Sequence, residues 1–184
     1  EAGEDPEALK TIPMLKRSDI RKGADTLVNE ELSVDNSLFL YHDVCTNGIG
    51  YVDIMFKTDD LAPEQIHWLG LLKSVLGYVD TSEYTYGELF NEINAGTGGI
   101  NCGVEVFDKA DSTEEFHCTF SVRGKALYPQ MPFLFQMVDE ILNTSSLKDT
   151  ARLYEIIASV KSRAQANLIG NGHATAVLRG TSYS

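Results

Sequence analysis

The sequence predicts an α+β fold: an antiparallel or mixed sheet with helices packed on one face, in the order ββααββαα. Three observations carry this. Short stretches alternate apolar and polar residues with the period of a half-buried strand, while longer stretches place apolar residues at helical spacing. Turn and cap signals fall between them: Asn47-Gly48, Gly77, the Thr85/Glu88 pair, and Gly98-Gly99.

Residues 1–36 are polar and charged. Leu9, Ile12, Leu15, Ile20 and Leu27 recur without a sustained period, and Pro6 and Pro13 break any long helix. This stretch is expected to be a connector that packs on a neighbouring domain, with one short helix starting at Ser18, a fair N-cap. The first ten residues read equally well as a disordered tail. Residues 37–184 are expected to form the folded domain.

That domain opens with Leu38, Leu40, His42 and Val44 alternating with Phe39, Tyr41 and Asp43. Asn47-Gly48 predicts a two-residue hairpin, since both positions tolerate positive φ. The return strand sets Val52, Ile54 and Phe56 on one face and Tyr51, Asp53 and Met55 on the other. A helix is expected from Asp60 to Gly77, with Pro63 in its first turn and Gly77 as its stop. Ile66, Trp68, Leu69, Leu71, Leu72, Val75 and Leu76 cover most of its circumference. A helix apolar nearly all round is buried on several sides, so a second domain is expected to cover part of it.

The next helix starts with a capping box, Thr85 and Glu88, and a hydrophobic staple of Tyr84 and Leu89. The Thr85 cap is worth about 1 kcal/mol. Leu89, Phe90 and Ile93 are expected to face inward, with Gly96 ending the helix. Cys102, Val104 and Val106 then mark one strand face, and Phe116, Cys118, Phe120 and Val122 mark that of a partner strand from Glu115 to Arg123. The polar loop 108–114 between them is too long for a tight turn. Two helices close the chain. Phe133–Leu142 buries Leu134, Met137, Val138 and Ile141, and a second, from Leu147 to about Leu168, buries Leu153, Ile156, Ile157, Val160 and Ala164.

Composition narrows the function. A net charge of −12 and a pI near 4.6 repel nucleic acid but suit solubility and attraction of basic peptides. No apolar run approaches the roughly 20 residues needed to cross a bilayer, so no membrane partner is expected. No basic segment precedes an apolar core at the N-terminus, as a signal peptide requires. Cys45, Cys102 and Cys118 are odd in number and form no C-x-x-C, which suits a reducing, intracellular setting: cytoplasm, or an organelle lumen in a eukaryote. The opening EAGEDPEALK, with no methionine, reads as a piece of something longer.

The run TNGIGYVDIMF, the apolar helix after it, and LGYVDTSEYTYGELFNEINAGTGGI resemble the third of the four domains of presequence-protease-like zinc metallopeptidases. These belong to the pitrilysin and insulin-degrading-enzyme superfamily. The closing KSRAQANLIGNGHATAVLRGTSYS resembles the end of the same domain, so the likeness covers most of the chain. It implies a parent enzyme that hydrolyses short unfolded peptides inside a closed chamber. Its zinc is held by an H-x-x-E-H helix in the first domain. It also implies that this piece forms one chamber wall, with the other domains of the polypeptide as its partners and the parent's peptide as substrate.

No H-x-x-E-H occurs in these 184 residues. The equivalent helix reads His67-Trp68-Leu69-Gly70-Leu71. If His67 aligns with the first ligand, Gly70 replaces the catalytic glutamate and Leu71 the second ligand. A register anchored on Ser74-Val75-Leu76 puts Leu69, Leu72 and Lys73 there instead. Neither register supplies the three ligands and general base a catalytic zinc needs. Glu88 and Glu92, on the next helix, have no metal to join, and Glu88 already serves as a cap. No catalytic, cofactor-binding or metal residue is therefore expected in this piece, with zinc confined to the parent.

The remaining candidates have ordinary readings. His67 reads as a boundary histidine, His42 and His117 as surface imidazoles on strands, and His173 as a loop residue. Cys102 and Cys118 fall on inward faces of pairing strands, within possible reach of each other, and pack as small apolar groups. Thr97-Gly98-Gly99 reads as a turn, and Ser182 and Ser184 lack a G-x-S-x-G setting. Lys161, Arg163 and Arg179 suit either a solvated face or contact with a peptide carboxylate. Two other functions fit the same residues. One is an inactive structural or assembly subunit of the superfamily. The other is a peptide-binding module without chemistry.

Overall fold

The computed structural model describes residues 7, 11–20, 22–23, 26, 28–35, 37–112 and 114–182. The chain divides into two units, 1–45 and 46–184. Leu9, Leu27, Pro6 and Ser184, used in the sequence reading, lie outside the described residues.

In the first unit, the expected helix at Ser18 is a single 3-10 turn, Arg17–Asp19. The residue that holds it is Asp19, whose carboxylate accepts the Lys16 N–H at 2.8 Å. Strands β1 (Glu30–Val34) and β2 (Ser37–Tyr41) pair antiparallel, with Val34 opposite Ser37 and Glu30 opposite Tyr41. Two residues separate the strands, and Asp35 has φ 47°, the left-handed conformation such a short hairpin requires. Every residue of both strands is exposed, Leu32, Phe39 and Leu40 included.

This pairing corrects the sequence reading. The stretch starting at Leu38 ends as a strand at Tyr41, and its partner is β1, inside the stretch read as connector. Asn47-Gly48 does form the turn expected of it: φ is 54° and 84°, and the Ile49 N–H donates to the Thr46 carbonyl at 3.2 Å. Yet the strand that follows, β3 (Ile49–Lys57), pairs with β5 rather than with β2. The short connection through Asp35 already gives β2 a partner in β1. The Asn47 turn is fastened instead to the residue just past β5, where Tyr128 N–H donates to the Gly48 carbonyl at 2.9 Å.

The second unit is built on a three-stranded antiparallel sheet in the order β3-β5-β4, with β4 Ile100–Asp108 and β5 Phe116–Leu127. Helix α1 (Pro63–Val75) and helix α2 (Tyr86–Gly96) lie between β3 and β4. Helices α3 (Met131–Thr144), α4 (Thr150–Gly170) and α5 (Gly172–Thr181) follow β5. The α+β class, with antiparallel sheets and helices, stands as read. The additions are β1 and α5, which the sequence reading did not include.

The local signals operate as their chemistry requires. Pro63 opens α1, and Gly77, at φ 83°, follows its last residues. The helix begins three residues later than expected because Leu61 N–H bonds back to the Thr58 carbonyl at 3.0 Å in a separate turn. At α2 the Glu88 carboxylate accepts from the Thr85 N–H at 3.0 Å and from its hydroxyl at 2.8 Å, while Glu88 N–H donates to that hydroxyl oxygen at 3.4 Å. Thr97-Gly98-Gly99 is a turn, with Gly98 N–H bonded to the Lys125 carbonyl at 2.7 Å and Gly99 at φ 107°.

The main core joins one face of the sheet to α2 and α3. Leu89, Phe120, Val122, Met137, Val138 and Ile141 are among its buried members. Full burial of each large aliphatic group contributes roughly 1.5–3 kcal/mol. The four residues expected inside α3, Leu134, Met137, Val138 and Ile141, are all buried. Phe90, expected inward, is exposed, because α2 turns only Leu89 and Ile93 to the core. A second, smaller core holds Val75, Val79 and Ile156, with Leu153 and Val160 against it. Of the residues assigned to the interior of α4, Ile157 and Ala164 are exposed: one side of this helix has cover and the other has none among the described residues.

Gly124 in β5 marks a close approach of helix to sheet. A Cβ placed there would lie 2.7 Å from the Leu134 side chain, which is fully buried. Gly124→Ala is expected to destabilise the chain by about 1–3 kcal/mol, because Leu134 has nowhere to go. Gly70→Ala meets no atom within 4 Å on α1 and is expected to stabilise it by up to about 1 kcal/mol. Urea denaturation followed by circular dichroism reads both, as opposite shifts of the midpoint.

Candidate functional site

Helix α1 is the helix that the sequence resemblance equates with a metal-binding one. His67, Gly70 and Leu71 occupy the positions of the two ligands and the base in one register, and Leu69, Leu72 and Lys73 occupy them in the other. His67 is exposed, and its ring sits 5.2 Å from that of Trp68. Glycine and leucine side chains offer zinc no lone pair, so this helix does not fit the ion. Among the described residues no three His, Cys, Asp or Glu side chains gather at metal-binding spacing. Glu92 is exposed on α2, and Glu88 is held as a cap below the usual carboxylate range by the Thr85 N–H and hydroxyl.

The other histidines stand apart. His42 lies just past the end of β2, so it is not a strand residue as expected. His117, on β5, faces Asp59, with Nδ1 3.6 Å from the carboxylate. His173 belongs to α5 rather than to a loop, because Gly172 begins a new helix directly after Asn171. Cys102 and Cys118 share a sheet face but are not neighbours. Cys102 sits opposite Val122 and Cys118 opposite Val106, about 13 Å apart along the strands. Burial pushes the Cys102 thiol up to about 11, which disfavours its thiolate at neutral pH. Cys45 is exposed. Ser182 donates its hydroxyl to the Arg179 carbonyl at 2.8 Å, at the end of α5.

Two features of α1 and α4 have the form of a recognition surface. The first is an apolar groove of about 300 Å³ between them, lined by Trp68, Leu71, Leu72, Leu147, Leu153 and Ile157 among others. Trp68 is 61% exposed. Leu72 and Leu147 also line a second hollow of about 490 Å³ that runs on to Phe56 and Phe120. The two hollows share these two leucines and form a largely apolar trough along α1, with Asn143 and Ser145 on the wall of the second. The helix is as apolar as its sequence says, but Val75 is its only buried residue. Monomeric surfaces rarely leave a contiguous apolar trough of this kind open.

The second is a polar pocket of about 240 Å³ further along α4, which takes in Arg152, Glu155, Ser159 and Arg163 together with Ser74 and Tyr78. Lys161 and Arg179, grouped with Arg163 in the sequence reading, do not line it. The opposite face of the sheet is tied by Arg123. Its Nε donates to Asp53 of β3 at 2.6 Å and its terminal nitrogens to Glu105 of β4 at 2.6 Å. This clamp spans all three strands. Elsewhere on β5 the buried hydroxyls of Thr119 and Ser121 have no hydrogen-bond partner among the described residues.

The entire chain, residues 1–184, matches the family model described as peptidase M-16C associated. The chain belongs to this peptidase-associated family. Among its relatives, a Clostridium perfringens protein named HypA is 36% identical over 178 residues, covering 97% of this chain and 18% of that protein. The presequence protease 1, chloroplastic/mitochondrial, of Arabidopsis thaliana is 27% identical over 179 residues, 97% of this chain and 16% of that one. The mitochondrial presequence protease of Yarrowia lipolytica is also 27% identical, with 97% and 18% covered. This peptidase-associated chain thus spans less than a fifth of the length of these relatives. No helix among the described residues is long and apolar enough to cross a membrane.

The raised Cys102 thiol gives a pH signature. The folded chain holds that proton more tightly than the unfolded chain does, so its contribution to stability is complete below about pH 9 and is lost as pH rises towards about 11. At about pH 7.5, a maleimide is expected to label Cys45 rapidly and Cys102 slowly, since only the thiolate reacts. Peptide mapping by mass spectrometry across a pH series should show Cys102 labelling rise only towards about pH 11; equal rates at neutral pH would contradict it.

Proposed function

We propose that this chain is a non-catalytic domain of a zinc-dependent metalloendopeptidase that degrades short unfolded peptides, and that it forms part of the wall of the closed substrate chamber. One observation carries the reading. The match to a peptidase-associated family runs the length of the chain, while α1 presents His67, Gly70 and Leu71 where a metal site would need its ligands and base. The hydrolytic zinc then resides in another domain of the same polypeptide, and this chain's contribution is shape and contact.

The surface supports that role. A two-stranded ribbon is marginal by itself in water, and β1 and β2 expose Leu32, Val34, Leu38, Phe39 and Leu40. The trough along α1 leaves Trp68 and Ile157 open as well. Apolar area on this scale is costly to expose and is covered when neighbouring domains close over it. The other domains of the longer polypeptide are therefore the principal partners, in a reducing intracellular compartment that suits an odd number of cysteines with no C-x-x-C.

The purified 184-residue chain should contain well under one zinc per molecule after dialysis against micromolar zinc, measured by plasma mass spectrometry. It should show no chelator-sensitive cleavage of a fluorogenic peptide. One tightly held zinc per chain, or turnover abolished by a chelator, would make this domain the enzyme and overturn the reading.

A further inference from the structure

We propose that the pocket between α4 and the turn after α1 is a binding site for a carboxylate, of the kind carried by a peptide's C-terminus, with Arg163 as its charged anchor. This inference rests on the pocket alone and stands independently of any chamber or protease role.

The pocket is built on one stripe of α4. Arg152, Glu155, Ile156, Ser159 and Arg163 fall within about a 100° arc of the helix, at about 100° per residue. Ser74 and Tyr78 close it from the other side. The two arginines have different tasks. Arg152 is fully engaged: its Nε donates to the Tyr78 carbonyl at 2.9 Å, its terminal nitrogen bonds Glu155 at 3.1 Å, and its guanidinium lies 3.9 Å above the Tyr86 ring. These contacts fix the wall and neutralise the Arg152 charge with that of Glu155. Arg163 lines the same pocket and has no ion-pair partner among the described residues. The chain carries a net charge of −12, yet none of the described carboxylates is paired with this guanidinium.

The chemistry selects the ligand. A guanidinium offers two parallel N–H donors that match a carboxylate. One uncompensated cation balances a monoanion, whereas a phosphate dianion would be left underneutralised beside Glu155. The Ser159 hydroxyl adds a donor, and Ile156 and Tyr78 supply apolar wall for a terminal side chain. At about 240 Å³ the pocket lies below the usual range for drug-sized ligands and suits the end of a peptide rather than its length.

The test is a titration of the 184-residue chain with N-acetyl-leucyl-leucine, its C-terminal carboxamide, and inorganic phosphate, followed by two-dimensional NMR. Saturable shifts of the Arg163 side-chain N–H and the Ser159 amide are expected with the free acid only. Arg163→Gln, an exposed change that leaves the core intact, should weaken binding about tenfold or more. Lys161→Gln, on the same helix but off the pocket, should leave binding within about twofold. No saturable response, equal binding of the carboxamide, tighter binding of phosphate, or unchanged affinity in Arg163→Gln would each overturn the assignment.

Discussion

Strand β5 is the element on which the second unit depends. It is the middle strand of the β3-β5-β4 sheet, and its two faces have separate tasks. Phe120, Val122 and Ala126 are buried on the helix side, and Gly124 there admits Leu134 of α3 into direct contact. On the other side Arg123 reaches Asp53 and Glu105, so one guanidinium ties both neighbouring strands to the centre. The Arg123 side chain is half exposed, so that clamp specifies alignment more than it adds stability. The apolar face supplies the stability. Even the loops answer to β5: the Gly98 turn hydrogen-bonds to Lys125 within it and the Asn47 turn to Tyr128 just past its end.

Much of this was legible in the sequence because the signals were local. A capping box fixes where a helix begins through atoms three residues apart, and Thr85 and Glu88 form it as read. The four buried positions of α3 follow from its spacing alone. Pairing was less legible, since a strand pattern shows which face is buried but not which strand lies beside it. The sequence pairs the strand from Leu38 with the one after Asn47-Gly48, whereas the Asp35 turn pairs it with β1. The readable signal there is the Asp35-Asn36 dipeptide, two residue types that tolerate positive φ, set in polar surroundings that obscure it. Helix α5 escaped for a different reason: the stretch past Leu168, His173 included, reads as a loop, but a second helix starts directly after Asn171.

The candidate site was legible as a departure from a motif and illegible as geometry. His67, Gly70 and Leu71 could be compared with a metal-binding pattern from sequence alone. The Arg163 pocket could not be found that way, because Arg152, Ser159 and Arg163 meet Ser74 and Tyr78 only once α4 is laid against the end of α1. The apolar circumference of α1 was read as a demand for cover on more than one side. Within the described residues only part of that demand is met, by the sheet and by α4. Under the function proposed above, the exposed apolar side of α1 is what this chain brings to a larger assembly.

Hydrogen–deuterium exchange, run on the 184-residue chain and on the longer polypeptide proposed above to contain it, measures this directly. The account predicts that β5 amides exchange equally slowly in both, because the core is complete within the chain. It predicts that α1 peptides containing Trp68 exchange markedly more slowly in the longer polypeptide, with quenching of Trp68 fluorescence by acrylamide falling in parallel. Equal exchange and equal quenching of α1 in the two forms would contradict it, since the trough would then face solvent in the assembled protein as well.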